Sequence, residues 1–266
     1  MEWKELVNSG LSRATGYKIV NAARLGRPAS GSKPSASARQ PRKLPKFYDA
    51  TAKEIIRAVR PRTMTAHEKV FALIVATRYI VDHGIPGDFV ECGVWRGGSM
   101  QAVAKALVAH NVDDRELHLF DTFTGMTQPT DADRGYDGTP AATLLEQRPR
   151  TARVWAVASL DDVQEGMAET GYRADRIHYH EGPVEETIPG QAPEQIALLR
   201  LDTDWYESTR HELEHLYDRV PSGGVLIIDD YGTWQGARQA VDEFLERTGA
   251  RLLLHPVAAG RIAVKP

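Results

Sequence analysis

Short apolar segments alternate with segments of helical periodicity along most of the chain, and this alternation limits the folds that it can adopt. Each short segment is bounded by glycine, proline or acidic residues, which is typical of a buried strand. Each longer segment repeats its apolar residues every three or four positions, as helices do. The alternation predicts an α/β protein with a doubly wound, mostly parallel sheet. Its five predicted parallel strands span 88–94, 118–120, 176–181, 196–201 and 224–228.

Helix signals and the C-terminal sequence complete this prediction. Thr65-Ala-His-Glu68 has the form of a capping box, so we expect a helix from there to about Asp82. Two runs, 251–255 and 261–265, surround Ala-Ala-Gly260 and predict an antiparallel hairpin at the end of the sheet. The other helices are expected at 99–110, from Ser159 onward, at about 206–219 and at about 237–247.

The first 47 residues differ in charge from the rest of the chain. They hold ten Lys or Arg residues against two Glu, a net charge of +8, so the remaining residues carry −11 of the total of −3. Residues 28–47 are rich in Ser, Pro and Ala, which predicts a mobile linker. We therefore expect a basic, flexible arm over 1–47 and one folded domain over 48–266. The arm is either a solvated tail or a segment that docks over an active site or a partner subunit.

Several classes of protein are excluded at this stage. No run of about 18 apolar residues is present, so we expect no membrane span. No apolar segment with a cleavage site opens the chain, so we expect no signal peptide and a cytoplasmic protein. Cys92 is the only cysteine, which excludes a disulfide framework or a thiolate metal cluster. Nothing in the sequence predicts nucleic-acid binding.

A glycine-rich segment follows the first predicted strand. It reads Glu91-Cys-Gly93-Val-Trp-Arg-Gly97-Gly98-Ser99 and leads into a helix, whose first N–H groups are free to meet a ligand. It matches neither the dinucleotide pattern G-x-G-x-x-G nor a P-loop. The acidic residue ahead of the glycines would repel a pyrophosphate but suits an ammonium group, as in S-adenosylmethionine. The alternative is a tight turn without a ligand.

The second predicted strand ends in Asp121, where an acidic residue is placed to accept hydrogen bonds from ribose hydroxyls. Turn formation is the alternative role, since Asp often begins turns. A long segment rich in Gly, Pro and Asp follows, from Thr122 to about Thr151. Its length exceeds that of ordinary loops, so we expect a lid over a ligand-binding pocket.

Four aspartates follow the fourth and fifth predicted strands. Asp202 and Asp204 end the fourth strand, and Asp229 and Asp230 end the fifth. Clustered carboxylates repel one another unless a cation holds them, and an all-oxygen set suits Mg²⁺, Ca²⁺ or Mn²⁺. Helix capping and turn formation are the alternative for one or two of them. Nearby Trp205, Trp234 and Tyr231 would form either a wall that stacks on a sugar or part of the core.

The chain resembles the macrocin O-methyltransferase family, whose members use S-adenosylmethionine and Mg²⁺ to methylate sugar hydroxyls of glycosylated antibiotics. The resemblance covers about 61–266. It is carried by Thr63-Met64-Thr65, GDFVECGVWRGGSM (87–100), LFDTFTGM (119–126), GPVEET (182–187), LLRLDTDWYESTRHELEHLY (198–217) and GGVLIIDDYGTWQGARQAVDEF (223–244).

This resemblance implies a Rossmann-like class I methyltransferase fold and a role for each matching residue. Glu91 and the backbone around Gly93 would hold the methionyl amine of the donor, with Thr63 and Ser99 near its carboxylate. Asp121 would bind the ribose, and the turn that includes Gly182 and Val184 would border the adenine. Asp204 would be the general base. The metal ligands would be Asp202, Asp229 and Asp230. Members of the family are typically dimers or larger homo-oligomers.

The resulting hypothesis is a metal-dependent O-methyltransferase that acts on a sugar hydroxyl of a glycosylated natural product. A catechol-type acceptor is the nearest alternative, since it too presents two adjacent oxygens to a metal. An NAD(P)-dependent sugar oxidoreductase and a non-catalytic S-adenosylmethionine-binding protein are the others.

Overall fold

The computed structural model describes residues 43–266, which contain seven strands and eight α-helices. The strands are β1 (Asp88–Cys92), β2 (Leu117–Asp121), β3 (Ile177–Glu181), β4 (Ile196–Leu201), β5 (Val225–Ile228), β6 (His255–Val257) and β7 (Gly260–Val264). The helices are α1 (Ala50–Val59), α2 (His67–Asp82), α3 (Gly98–Ala109), α4 (Ala141–Glu146), α5 (Leu160–Ala168), α6 (Val184–Thr187), α7 (Tyr206–Leu216) and α8 (Gln235–Thr248). No described helix is long and apolar enough to cross a membrane.

The strands form one sheet in the order β3-β2-β1-β4-β5-β7-β6. The first five pair in parallel, while β7 is antiparallel to both β5 and β6. The predicted doubly wound sheet with an antiparallel C-terminal end is therefore confirmed. Leu44–Pro266 form one compact unit. Residues 1–42 of the predicted arm lie outside the described residues.

Alternation along the strands separates two hydrophobic cores, one on each face of the sheet. Phe89, Leu119 and Leu198 face the core that includes residues of α2, α3 and α5. Their neighbours Val90 and Phe120 face the core that includes residues of α7 and α8. All five side chains are fully buried, because successive residues of a strand point to opposite faces and helices cover both.

Helix α1 was not predicted, although the sequence contains its signals. Asp49 caps the helix by accepting a hydrogen bond from the Ala52 backbone N–H at 2.8 Å. Ile55, Ile56 and Val59 then bury one face of α1 in a third core, together with residues of α2 and α3. Their spacing from Ala52 is that of one helix face, so an amphipathic helix was readable here.

Two local predictions were wrong. Thr65 does not cap α2, whose N-cap residue is Ala66; the Thr65 hydroxyl accepts a hydrogen bond from Arg200 instead, at 3.2 Å. The hairpin strand expected at 251–255 begins only at His255, and the turn falls at Ala258-Ala259. Leu252 and Leu254 pack on the core instead of pairing in the sheet.

Candidate active site at the carboxyl ends of the strands

A cavity of about 440 Å³ opens at the carboxyl ends of the parallel strands. Ligands of doubly wound α/β proteins bind at this edge of the sheet, because the loops after the strands meet there. Among the predicted site residues, those that line it are Gly93, Asp121, Gly182, Val184, Asp202, Asp204, Asp229 and Asp230.

The end of β1 approaches the end of β4 through Gly93. This residue has a φ of +83°, and a β-carbon on it would lie 2.1 Å from the carbonyl oxygen of Asp202. Only glycine therefore permits this contact. Trp95, which also lines the cavity, has a φ of +48° without being glycine. Such strained backbone is concentrated at functional sites.

Asp121 at the end of β2 holds the loop that follows β1. Its Oδ2 accepts hydrogen bonds from the backbone N–H groups of Val94 at 2.7 Å and Trp95 at 2.9 Å. Its Oδ1 accepts one from Phe123 at 2.8 Å. Burial raises the pKa of Asp121, although these backbone bonds oppose the shift. The carboxylate therefore shapes the glycine loop and borders the cavity as well.

Three predicted donor-binding residues lie outside the lining of the cavity. Thr63 and Ser99 are buried, and Thr63 Oγ1 accepts a hydrogen bond from the Thr65 N–H at 3.0 Å. Glu91 is fully buried and pairs with Arg200. Burial raises the pKa of Glu91 to about 7, even though Arg200 favours its charged form. Its Oε2 has no hydrogen-bond partner among the described residues.

Arg200 is a buried cation in a strand that is otherwise apolar. Its guanidinium lies 2.7 Å from both the Asp202 and Asp229 carboxylates, and it also pairs with Glu91. The four side chains meet because Glu91 is in register with Arg200 and all four point to the same face of the sheet. One buried arginine thus offsets part of the negative charge at this edge.

Lys69 supplies a second cation to the same cluster. From α2 its Nζ donates to the carbonyl oxygen of Asp229 at 2.8 Å and to Oδ2 of the Asp229 carboxylate. Burial raises the pKa of Asp229, but Arg200 and Lys69 outweigh burial and the net shift is downward. Asp229 is therefore held as a carboxylate.

The negative charges of Asp202 and Asp230 are offset less by nearby cations than that of Asp229. Burial and the neighbouring carboxylates raise the pKa of each well above its ordinary value. Asp230 Oδ2 is buried without a hydrogen-bond partner among the described residues. One carboxylate oxygen from each of Asp202, Asp229 and Asp230 lies within 4.8 Å of the others. Three converging carboxylates with an orphaned oxygen fit a hard divalent cation such as Mg²⁺.

Asp204 lies beside this group in a strained conformation, with a φ of +70°. Its Oδ1 accepts a hydrogen bond from the indole Nε1–H of Trp234 at 2.8 Å. Burial and the charge of Asp202 raise the pKa of Asp204 to about 7. Trp234 also packs edge-on against the buried Trp205, at 5.1 Å between ring centroids. A carboxyl group with this pKa, facing a cavity, is suited to proton transfer near neutral pH.

The segment predicted as a lid lies against the loops that carry these aspartates. Its Asp133 is fully buried, and Oδ1 of that residue accepts a hydrogen bond from the Tyr206 N–H at 2.7 Å. Its Tyr136 hydroxyl donates to the carbonyl oxygen of Tyr231 at 2.8 Å. Thr127 from the same segment lines the cavity. The segment contains the short helix α4, and its hydrogen bonds attach it both to the residues after β4 and to those after β5.

Sequence reasoning assigned no role to Lys69 or Arg200 and left Trp234 between sugar stacking and core packing. Arg200 carried a readable signal, since a charge in the apolar strand IALLRL needs a buried partner. Lys69 and Trp234 carried none, because a lysine on a helix and a tryptophan after a strand are common without a site. Only the packing of α2 and of the loop before α8 brings them to the aspartates.

The sheet order, the antiparallel β7 and the cavity at the strand ends define the class I methyltransferase fold. Solved structures agree: the O-methyltransferase NovP superposes with a TM-score of 0.67 at 29% identity, over 77% of this chain and 82% of its own. The calicheamicin methyltransferase CalS11 superposes with a TM-score of 0.58 at 21% identity, over 80% of this chain and 91% of its own, and supports the fold alone.

Within that class, residues 40–258 match the family model of macrocin-O-methyltransferase (TylF), and the chain belongs to this family. It is 36% identical over 166 residues to mycinamicin III 3''-O-methyltransferase of Micromonospora griseorubida, covering 62% of this chain and 63% of that protein. It is 33% identical over 187 residues to 8-demethyl-8-(2,3-dimethoxy-alpha-L-rhamnosyl)-tetracenomycin-C 4'-O-methyltransferase of Streptomyces olivaceus, covering 70% of this chain and 69% of that protein.

Proposed function

We propose that this protein is an S-adenosylmethionine- and Mg²⁺-dependent O-methyltransferase that acts on a sugar hydroxyl of a glycosylated natural product. The observation that carries the proposal is the convergence of four aspartates in one cavity that the glycine loop after β1 also borders. The names of its relatives support the acceptor class, since one methylates mycinamicin III and another a rhamnosyl tetracenomycin.

The donor would lie along the loops after β1, β2 and β3. Glu91 and the backbone at Gly93 would hold the methionyl amine, for which Glu91 has one oxygen without a partner among the described residues. Thr63 and Ser99 would lie near the methionyl carboxylate and Asp121 would bind the ribose. Gly182 and Val184, which line the cavity, would border the adenine. S-adenosylmethionine supplies a methyl group on a sulfonium centre.

Mg²⁺ would be held by Asp202, Asp229 and Asp230. The fit rests on the converging oxygens and on the unpartnered Oδ2 of Asp230. When bound, the ion supplies positive charge that favours the deprotonated form of an acceptor hydroxyl. A sugar hydroxyl that contacts no metal keeps its proton at neutral pH. An acceptor with two adjacent oxygens would suit this site, because both oxygens could contact the bound ion.

Asp204 would accept the proton from the acceptor hydroxyl. Trp234 orients the Asp204 carboxyl by donating a hydrogen bond to Oδ1. Burial and Asp202 place the pKa of Asp204 at about 7, close to the value at which a base works near neutral pH. The segment over 122–151 would exclude water from the cavity during transfer. We further propose a cytoplasmic homodimer or larger homo-oligomer.

The test is a methyl-transfer assay on the full chain. A panel of deoxysugar glycosides, with a catechol for comparison, is incubated with labelled S-adenosylmethionine in Mg²⁺ or in EDTA. Labelled glycoside formed only with Mg²⁺ is the expected result. Labelled catechol alone would favour a catechol enzyme, and activity that resists EDTA would rule out the metal mechanism.

Asp204→Asn tests the proposed base. The variant is expected to bind S-adenosylmethionine and Mg²⁺ as the wild type does, because Asn keeps the shape of the side chain and its bond to Trp234. Turnover should fall by about 10²-fold or more, since an amide cannot take the proton. Calorimetric titration of both ligands separates binding from turnover. Near-normal methylation by the variant would contradict the assignment.

A further inference from the structure

Two cations contact the acidic cluster, and they are held in different ways. Arg200 is 3% exposed and is held by bonds to three carboxylates and to Thr65. Lys69 is 13% exposed, and its Nζ contacts only Asp229 among the described residues. Lys69 also lines the main cavity, whereas Arg200 does not. The arginine is a counter-ion held by several partners, while the lysine has one carboxylate partner and borders the main cavity.

The surroundings of Lys69 permit movement of its ammonium group. Its side chain borders the main cavity and also a second cavity of about 10 Å³, which Arg200 borders too and which is about the smallest space that can hold one water molecule. Gly260 faces it, and a β-carbon on this glycine would lie 3.3 Å from Lys69 Cε. The Lys69 stem thus passes between β7 and the cavity without being enclosed on all sides.

Asp229 differs from the other two candidate metal ligands. Both of its oxygens already contact cations, Oδ1 through Arg200 and Oδ2 through Lys69. Asp230 has an oxygen with no partner among the described residues, and Asp202 contacts Arg200 alone of the two cations. A divalent ion that approaches the three carboxylates would therefore meet the Lys69 ammonium at Asp229. The ammonium group and the divalent ion carry like charges, which repel each other strongly when both contact one carboxylate in a partly buried site.

We propose that Lys69 is an exchangeable counter-ion: it holds Asp229 in place while no metal is bound, releases Oδ2 when a divalent cation binds, and so sets the affinity of the site for metal. This inference rests on the proposed metal site. Lys69 is a positioning residue here, because it acts through Asp229 and not on the acceptor. Its presence makes metal binding an exchange of one cation for another, and the acidic cluster stays compensated in both states.

Binding of Mn²⁺, followed by electron paramagnetic resonance, tests the competition. Lys69→Met removes the ammonium group but keeps the length of the stem, so Mn²⁺ should bind about tenfold more tightly or better. Lys105→Met is the matched control: it removes a helix lysine that donates to the Glu169 carbonyl and lines neither cavity, so its affinity should equal that of the wild type.

The outcomes distinguish this inference from the proposed function. A wild-type protein that binds no Mn²⁺ would overturn the metal site itself. A wild type that binds Mn²⁺, with Lys69→Met equal or weaker, would overturn the exchange while leaving the metal site standing.

A second measurement uses the unaltered chain and does not depend on how the variant folds. Acetic anhydride labels free lysine amines, and mass spectrometry gives the labelling rate at each position. Addition of Mg²⁺ should raise the rate at Lys69 several-fold and leave Lys105 unchanged. An unchanged or lower rate at Lys69 in a protein shown to bind Mg²⁺ would overturn the release of Oδ2.

Discussion

The sheet carries two clusters of like ionisable side chains, and only one of them has the features of a site. The acidic cluster, Asp202, Asp229 and Asp230, lies at the strand ends and lines the cavity. The histidine cluster lies on β2 and β3 near the edge of the sheet and lines neither cavity. Its members are His118, His178 and His180.

The histidines largely satisfy one another and their neighbours. A hydrogen bond of 3.0 Å joins His118 Nδ1 and His180 Nε2, and the other nitrogen of His180 lies 3.0 Å from Gln191 Oε1. His178 Nε2 pairs with the Glu116 carboxylate at 2.8 Å. The His180 ring also stacks on Phe120, at 4.1 Å between centroids. Packing and hydrogen bonding therefore account for all of the cluster except His118 Nε2, which has no hydrogen-bond partner among the described residues and lies 3.4 Å from the Asp88 carboxylate.

The comparison teaches that a concentration of titratable groups is not by itself a site. The acidic cluster stands out because it faces a cavity and because two cations, Arg200 and Lys69, contact it. Neutral imidazole rings can stack on one another, whereas carboxylates with oxygens within 4.8 Å of one another repel unless a positive charge lies nearby. Three substitutions test the contrast, beginning with the largest expected effect.

Loss of Arg200 should be the most damaging change. Arg200→Met leaves the buried Glu91 and Asp229 and the partly buried Asp202 without their shared cation, and breaking a buried ion pair costs about 3–5 kcal/mol. Urea denaturation of the metal-free protein should show a fall of that size in the free energy of unfolding. Arg210→Met is the control, because Arg210 is 42% exposed and its pairs on α7 are worth about 1 kcal/mol or less. Equal losses in the two variants would contradict the role of Arg200.

Mg²⁺ should stabilise the wild type by an intermediate amount. At 100 times its dissociation constant, a ligand that binds only the folded state adds about 2.7 kcal/mol. Thermal denaturation with Mg²⁺ or EDTA measures this gain, which Asp230→Asn should abolish. Asp175→Asn removes an exposed carboxylate that pairs with Arg173, and it should retain the gain. A full Mg²⁺ effect in Asp230→Asn would remove Asp230 from the proposed ligands.

The histidine cluster should give the smallest effect, and one that depends on pH. Burial lowers the pKa of His180, and His118 and His178 add to the shift while Gln191 opposes it. The folded protein then binds fewer protons than the unfolded chain, so stability is present above the ordinary His value of 6.5 and falls as pH drops below it.

The free energy of unfolding should fall less between pH 7.5 and 5.5 in His180→Gln than in the wild type, by about 1 kcal/mol or less. Methylation at pH 7.5 should be unchanged. Melting temperatures at the two pH values measure the slope. His255→Gln, at an exposed position on β6, should keep the wild-type slope. A loss of methylation in His180→Gln would mean that the histidine cluster serves the active site.

Local signals were sufficient for most of the secondary structure. Strand 196–201 was predicted at its observed bounds, because an unbroken apolar run between turns leaves few alternatives. The helix expected from Ser159 onward is present as α5, and Ser159 caps it by accepting a hydrogen bond from the Asp162 N–H. Prediction failed at Thr65, since its hydroxyl has two possible partners and a distant arginine takes it.

The sequence alone determined that aspartates would lie at the ends of neighbouring parallel strands, because strand direction and the position of each residue after its strand are local properties. Which charges meet there was decided by the tertiary structure. Glu91 and Arg200 are 109 positions apart and pair only through the register of β1 and β4. Lys69 reaches Asp229 from a helix 160 positions away, because the packing of α2 on the sheet places it there. Charge compensation depends on contacts between residues that are far apart in the sequence, so the spacing of residues within one segment does not predict it.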